Sequence, residues 1–257
     1  MNAIDYLAKF FLAFSNDILL VPLIIIGFLY VNHRTYGQAL ILLLFSMVFN
    51  KVLKEYFAIP LNSNLNIKGF AFPSGHMQSA IVFYGLIYLS THNIRIRGLI
   101  LIILLGISFG LNHFGYHNSF DILGGVGFGI LLLAIFHKLI KTEILQKKPY
   151  LLGFIILPLA AALIFYSSYY NNIPTPVHIW MAFYILIGFT MSWFFFQKKV
   201  AQPKSLLVKL LGILLSFIVI GGVYYLLPIF KNLLPINMQI QWLIVGIIVP
   251  LSGSLTK

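Results

Sequence analysis

The feature that most restricts this chain is a succession of continuous apolar runs. Several reach about 20 residues, the length a helix needs to cross the hydrocarbon of a bilayer. Apolar residues make up 60% of the 257 and charged residues only 9%. A soluble domain carries roughly a quarter charged residues, and no water-soluble fold hides so much apolar surface. The runs are unbroken rather than alternating, which excludes a transmembrane barrel. The expected class is an all-α integral membrane protein. Hydropathy places about nine transmembrane helices near residues 8–30, 37–57, 75–92, 97–113, 119–140, 150–169, 176–196, 205–228 and 238–255. The start "MNAIDYLAKF" lacks the basic opening of a secretory signal, and its apolar run is long enough to remain as a span.

Charge in the connections sets an expected orientation. Twelve of the 17 basic residues fall in one alternating set of loops, which includes Arg95, Arg97, Lys147, Lys148, Lys198 and Lys199. The other set holds Lys9, Lys51, Lys54, Lys68 and Lys231. The richer set belongs in the cytoplasm, so the N-terminus is expected outside and the C-terminus inside. The net charge of +12 is then a membrane-topology signal, and no nucleic-acid partner is implied. With no cysteine in the chain, thiol catalysis and thiolate metal sites are excluded.

On this orientation two polar stretches share the non-cytoplasmic face. The first is "FAFPSGHMQS" at 71–80, the second "HNSFD" at 117–121. In the first, backbone amides near Ser74 and Gly75 precede a helix and form a natural anion site. Glycine allows close approach of a phosphate, and His76 stands where it can protonate a leaving oxygen. In the second, His117 and Asp121 are four apart and can share a helix face. A carboxylate on one imidazole nitrogen fixes the tautomer and raises the basicity of the other. Asp121 equally suits the first turn of a helix as its cap, and the residues of this stretch alone leave both roles open. Taken together, two histidines on one membrane face beside an anion-cradling turn point to a nucleophile and an acid around a bound phosphate.

The segments "PSGH" and "HNSFDILGG" resemble the second and third motifs of the type 2 phosphatidic acid phosphatase superfamily, over about residues 45–130. That resemblance implies a phospho-histidine mechanism without metal or other cofactor. His117 would be the nucleophile, Asp121 its orienting acid, and His76 the general acid. Ser74 and Gly75 would hold phosphate oxygens. It also implies a phosphatase-like helical core over 1–145, followed by additional helices over 146–257. The nine-span, N-outside layout is similar to that of glucose-6-phosphatase.

The sequence departs from the family pattern at both phosphate-binding arginines. The first motif, a lysine, six intervening residues and then Arg-Pro, has Val52 and Ile59 in its key places, with Pro60 retained. The Ser-Arg that opens the third motif is replaced by Gly110 and Leu111. Lys51, Lys54, Lys68, Asn112 and His113 are the nearby residues that can replace the lost contacts. Sphingomyelin synthase-like transferases also lack the first motif. The expected activity is therefore a lipid phosphatase or phosphotransferase acting on a lipid phosphate or diphosphate. A headgroup transferase and an inactive lipid-binding or transport relative are the alternatives. The expected location is a bacterial inner membrane with the site facing the periplasm. Among other features, "WFFF" at 193–196 reads as an interfacial aromatic belt. Gly124, Gly125, Gly127 and Gly129 read as a helix-packing stripe, and His178 as a possible neighbour of the site.

Overall fold

The computed structural model describes residues 2–61, 69–170, 174–202, 204–226 and 237–255. These are almost wholly helical: α1 (Ala3–Ala13), α2 (Asp17–Ile26), α3 (His33–Phe57), α4 (Gly75–Ser90), α5 (Ile94–His113), α6 (Ser119–Ile140), α7 (Glu143–Lys147), α8 (Leu151–Tyr170), α9 (Val177–Val200), α10 (Leu206–Leu226) and α11 (Asn237–Gly253). Among the described residues no strand forms beyond an isolated bridge between Pro60 and Phe70. Among the described residues six helices are long and apolar enough to cross a membrane, or seven if the bent pair α1 and α2, with the turn that follows α2, is one span. The chain is a helical integral membrane protein. Lys68 and Lys231 lie outside the described residues.

Two sequence expectations change here. The first apolar run is not one helix: it breaks at Phe14, Ser15 and Asn16, where the path turns by 43°. Asn16 takes extended backbone and Asp17 opens the new helix, so a polar triplet restarts what hydropathy alone joins. After Ile26 the helix widens into a π-helical turn over Gly27–Val31. In addition, α4 and α11 have 16 and 17 residues, shorter than the other candidate spans.

The centre of the structure is α3. Its apolar stretch is the most enclosed of the candidate spans, and α4, α8 and α9 all pack against it. Inside a bilayer, lipid tails are as apolar as leucine, so helix association relies on close packing and polar contacts. Both devices are present. At Gly125 of α6 a Cβ would lie 2.6 Å from the Ser74 carbonyl, and at Gly129 2.8 Å from the Ile81 side chain. At Gly124 it would enter the Phe72 ring, whereas Gly127 faces open space. Three of the four glycines in the stripe therefore serve packing. Gly188 and Gly246 bring α9 and α11 together backbone to backbone in the same manner.

The polar device is a buried chain of amides between α3 and α4. Asn50 donates to the Pro73 carbonyl at 3.2 Å and to Gln78 at 3.0 Å. Gln78 donates onward to the Ser46 carbonyl and hydroxyl. Each amide would be costly to bury unpartnered. Paired, they fix the depth at which α4 begins. The "WFFF" cluster corrects the belt expectation in part. Trp193 is buried against Phe28 and Phe189, where Gly37 makes room for it, while Phe195 remains on the outside.

Candidate active site

The site forms where α4 and α6 begin and α3 and α5 end. Its frame is a hydrogen bond between the two motifs: the Ser74 backbone N–H donates to the Asp121 carbonyl at 2.9 Å. Ser74 is fully buried, and its hydroxyl has no hydrogen-bond partner among the described residues. Gly75 begins α4, and a Cβ there would press on Asn50 Oδ1 at 2.9 Å. The small residue is thus needed where the turn meets α3.

His117 is placed by the end of α5. Gly115 takes a left-handed conformation at φ 66°, which glycine adopts without strain. The chain then folds back, so that the Tyr116 and His117 N–H groups both donate to the Leu111 carbonyl. Asn118 caps α6 in a reciprocal box. Its side chain accepts from the Asp121 N–H at 2.9 Å, and Asp121 Oδ2 accepts from the Asn118 N–H at 3.1 Å. The same Oδ2 lies 3.5 Å from His117 Nδ1. The carboxylate therefore performs both roles that its sequence position allows: it caps the helix and it faces the imidazole. At 3.5 Å the two atoms approach without a hydrogen bond, and among the described residues His117 Nδ1 and Asp121 Oδ1 have no hydrogen-bond partner. Three of the six unpartnered buried side-chain atoms among the described residues belong to Ser74, His117 and Asp121. Such concentration is a mark of a functional site.

A cavity of about 390 Å³ opens beside His117 and Asp121, lined also by Ile59, Pro60, Ala71, Asn112, Gly115, Tyr116 and Asn118. Its size suits a small-molecule group. Ile59 thus contributes an apolar wall at the first arginine position. Leu111, at the second, is buried in the core and offers only its carbonyl, to His117.

The other candidate residues divide. Lys54 Nζ donates to the Phe70 carbonyl at 2.8 Å, and its charge reaches Asp121, His76 and His117. His76, in the first turn of α4, is exposed and lies within electrostatic reach of His117. Asn112 lines the cavity and donates weakly to Ser119 at 3.4 Å.

Lys51 and His113 are engaged elsewhere, and neither lines the cavity. Lys51 is buried in an ion pair with Glu55 at 2.7 Å and hydrogen-bonds Ser167 of α8. An unpaired charge there would be expensive, and the Glu at i+4 captures it. His113 pairs with Asp5 of α1 at 2.8 Å. The residues that sequence reasoning missed are Ser46, Asn50 and Gln78. The signal was present in Ser46 and Asn50, two polar residues four apart in an apolar helix.

Burial pushes the His117 imidazole down to about 4; the Lys54 charge adds to this, and the Asp121 carboxylate opposes both. The free protein thus holds His117 neutral at physiological pH, the form in which a ring nitrogen can attack.

This is a helical membrane protein in which His117 and Asp121 share one cavity, and the Ser74 turn is hydrogen-bonded to the Asp121 backbone beside it. Residues 35–145 match the family model of the PAP2 superfamily, and the match over that segment supports membership of the type 2 phosphatidic acid phosphatase superfamily. The match supports phosphatase or phosphotransferase chemistry on phosphate esters. No curated protein and no solved structure matches the chain.

The acid limb of kcat/KM should fall well below 6.5 and near pH 4, the value for His117 in the free protein. A phosphodiester substrate, already a monoanion over this range, assigns the limb to the protein. Lys54→Met should move the limb upward, because it removes a charge that disfavours the imidazolium. A limb at 6.5 that Lys54→Met leaves in place would contradict the electrostatic description.

Proposed function

We propose that this chain is a membrane-embedded lipid phosphatase or phosphotransferase that works through a phospho-histidine at the non-cytoplasmic face. The observation that carries this reading is the joint placement of His117 and Asp121 in one cavity, with the Ser74 turn bonded to the Asp121 backbone. The twelve-to-five distribution of basic residues supports the orientation.

In the first step a His117 ring nitrogen attacks phosphorus, and the bond from phosphorus to the leaving oxygen breaks. His76 gives that oxygen its proton. Asp121 faces the Nδ1 side, which leaves Nε2 as the attacking atom and favours the cation that forms on His117. Lys54 and the Ser74 hydroxyl meet the phosphate oxygens, together with the backbone N–H groups that open α4. In the second step water or a lipid alcohol loses its proton to His76 and attacks phosphorus. The phosphorus–nitrogen bond breaks, and His117 returns to its neutral form. Splitting the transfer in two avoids a single direct displacement.

Headgroup transfer from a lipid phosphodiester is the second reading, and Ile59 favours it. A phosphomonoester brings two negative charges, which a pair of arginines would meet with fixed bidentate contacts. A diester brings one charge and a second ester substituent. The wall made by Ile59, Pro60 and Ala71 accommodates such a substituent.

Turnover of a panel of lipid phosphates, diphosphates and phosphodiesters tests the assignment. His117→Ala should lose at least about 10³-fold in kcat, as removal of a nucleophile does. Full turnover by this variant on the best substrate would eliminate the mechanism. Ile59→Arg should shift the ratio of monoester to diester kcat/KM toward the monoester by roughly tenfold, about one charge-assisted contact. No shift, in a variant that still turns over, would remove Ile59 from the specificity argument.

A further inference from the structure

The surroundings of His76 and Lys54 are completed by a helix that lies beyond the family segment. Geometry fixes the first turn of α9 beside the last turns of α3. Ser167, near the end of α8, hydrogen-bonds both members of the buried Lys51–Glu55 pair on α3. The next residue, Ser168, shares a 2.7 Å hydrogen bond with Thr175, which precedes His178 by three residues. α9 itself packs along α3 and α8. Lys54 lies three residues after Lys51 on α3, so the two are neighbours on the helix surface. The start of α9 and Lys54 therefore stand at the same end of the bundle, held there by a buried ionic contact.

His178 occupies the first turn of α9. It is exposed, and it makes no hydrogen bond, ion pair or ring contact among the described residues. Its ring is in electrostatic reach of both Lys54 and His76. The remaining charged neighbour of His76 is Asp17, at the start of α2. A carboxylate repels phosphate, so an anion at His76 is received away from Asp17. An imidazole N–H is a competent donor to a phosphate oxygen, and none of the described residues occupies this one.

We propose that His178 is a phosphate ligand, supplying from α9 an N–H donor to a non-bridging oxygen of the group held at His117. With Lys54 it takes over contacts that the family pattern assigns to arginines at the positions of Ile59 and Leu111. The proposal rests on the phosphate-site reading given above. It identifies a part of the chain beyond residue 145 as a direct contributor to that site.

Binding of inorganic phosphate to the detergent-solubilised full chain, followed by calorimetry, reads this contact independently of turnover. His178→Ala should weaken phosphate binding about tenfold or more, and His178→Gln, which keeps an N–H donor, should recover most of the loss. Val177→Ala, at the neighbouring exposed position, should bind as the wild type does, and the melting temperatures of all variants should agree. Wild-type affinity in His178→Ala would overturn the proposal. So would an equal loss in Val177→Ala, or a wild type that binds no phosphate. Should His178→Ala fail to fold, His178→Gln and His178→Leu form the test pair, because both keep bulk and one keeps a donor; equal affinities would then overturn it. Survival of turnover in His117→Ala would instead remove the phospho-histidine step and leave the phosphate-binding result standing.

Discussion

The site depends on one hydrogen bond, from the Ser74 N–H to the Asp121 carbonyl. It joins the start of α4 to the start of α6, two helix N-termini whose partial positive charge favours an anion. Around it the constraints are mutual. Gly125 and Gly129 let α6 close on α4. Asn50 and Gln78 hold α4 against α3. The box between Asn118 and Asp121 sets the carboxylate, and the turn at Gly115 delivers His117 to it. Moving any one of these would shift the distance between the imidazole and the Ser74 turn, and the proposed phosphoryl transfer would tolerate little misplacement.

Loss of the two arginine positions does not leave an empty site. Ile59 and Leu111 have different fates, and the difference is informative. Leu111 has gone into the core, where its carbonyl anchors the Tyr116 and His117 amides. Ile59 remains on the cavity wall. The positive charge acting on His76 and His117 is that of Lys54, and lysine provides a point charge without the planar fork of arginine. On the proposed reading, a site with fewer fixed donors and a more apolar wall would discriminate less by charge and more by the shape of the ester.

Much of the architecture could be read from the sequence because the bilayer imposes it. Long apolar runs must be helices, and the polar clusters at 73–76 and 117–121 were conspicuous against them. What escaped was set by contacts between residues distant in sequence. The break at Ser15 and Asn16 is a local polar restart within a run that averages as apolar. The outcomes of Lys51 and Lys54 diverge although the two are one turn apart. Lys51 has Glu55 at i+4 and Ser167 from α8 to neutralise it, whereas Lys54 points to the Phe70 carbonyl and the histidines. Hydropathy cannot separate them, because only the position of α8 decides. Trp193 was misread for the same reason: an aromatic near a span end belongs to the interface unless a glycine on another helix, here Gly37, opens a place for it.

The central claim is that phosphorus is bonded to His117 partway through the reaction. Rapid mixing with a substrate labelled at phosphorus, quenched in alkali to preserve a phosphoramidate, followed by peptide mapping, tests it directly. The account predicts label on the peptide bearing His117, appearing before product and decaying as product forms, and absent from His117→Ala. Steady turnover with label on another residue, or with none at any quench time, would contradict it.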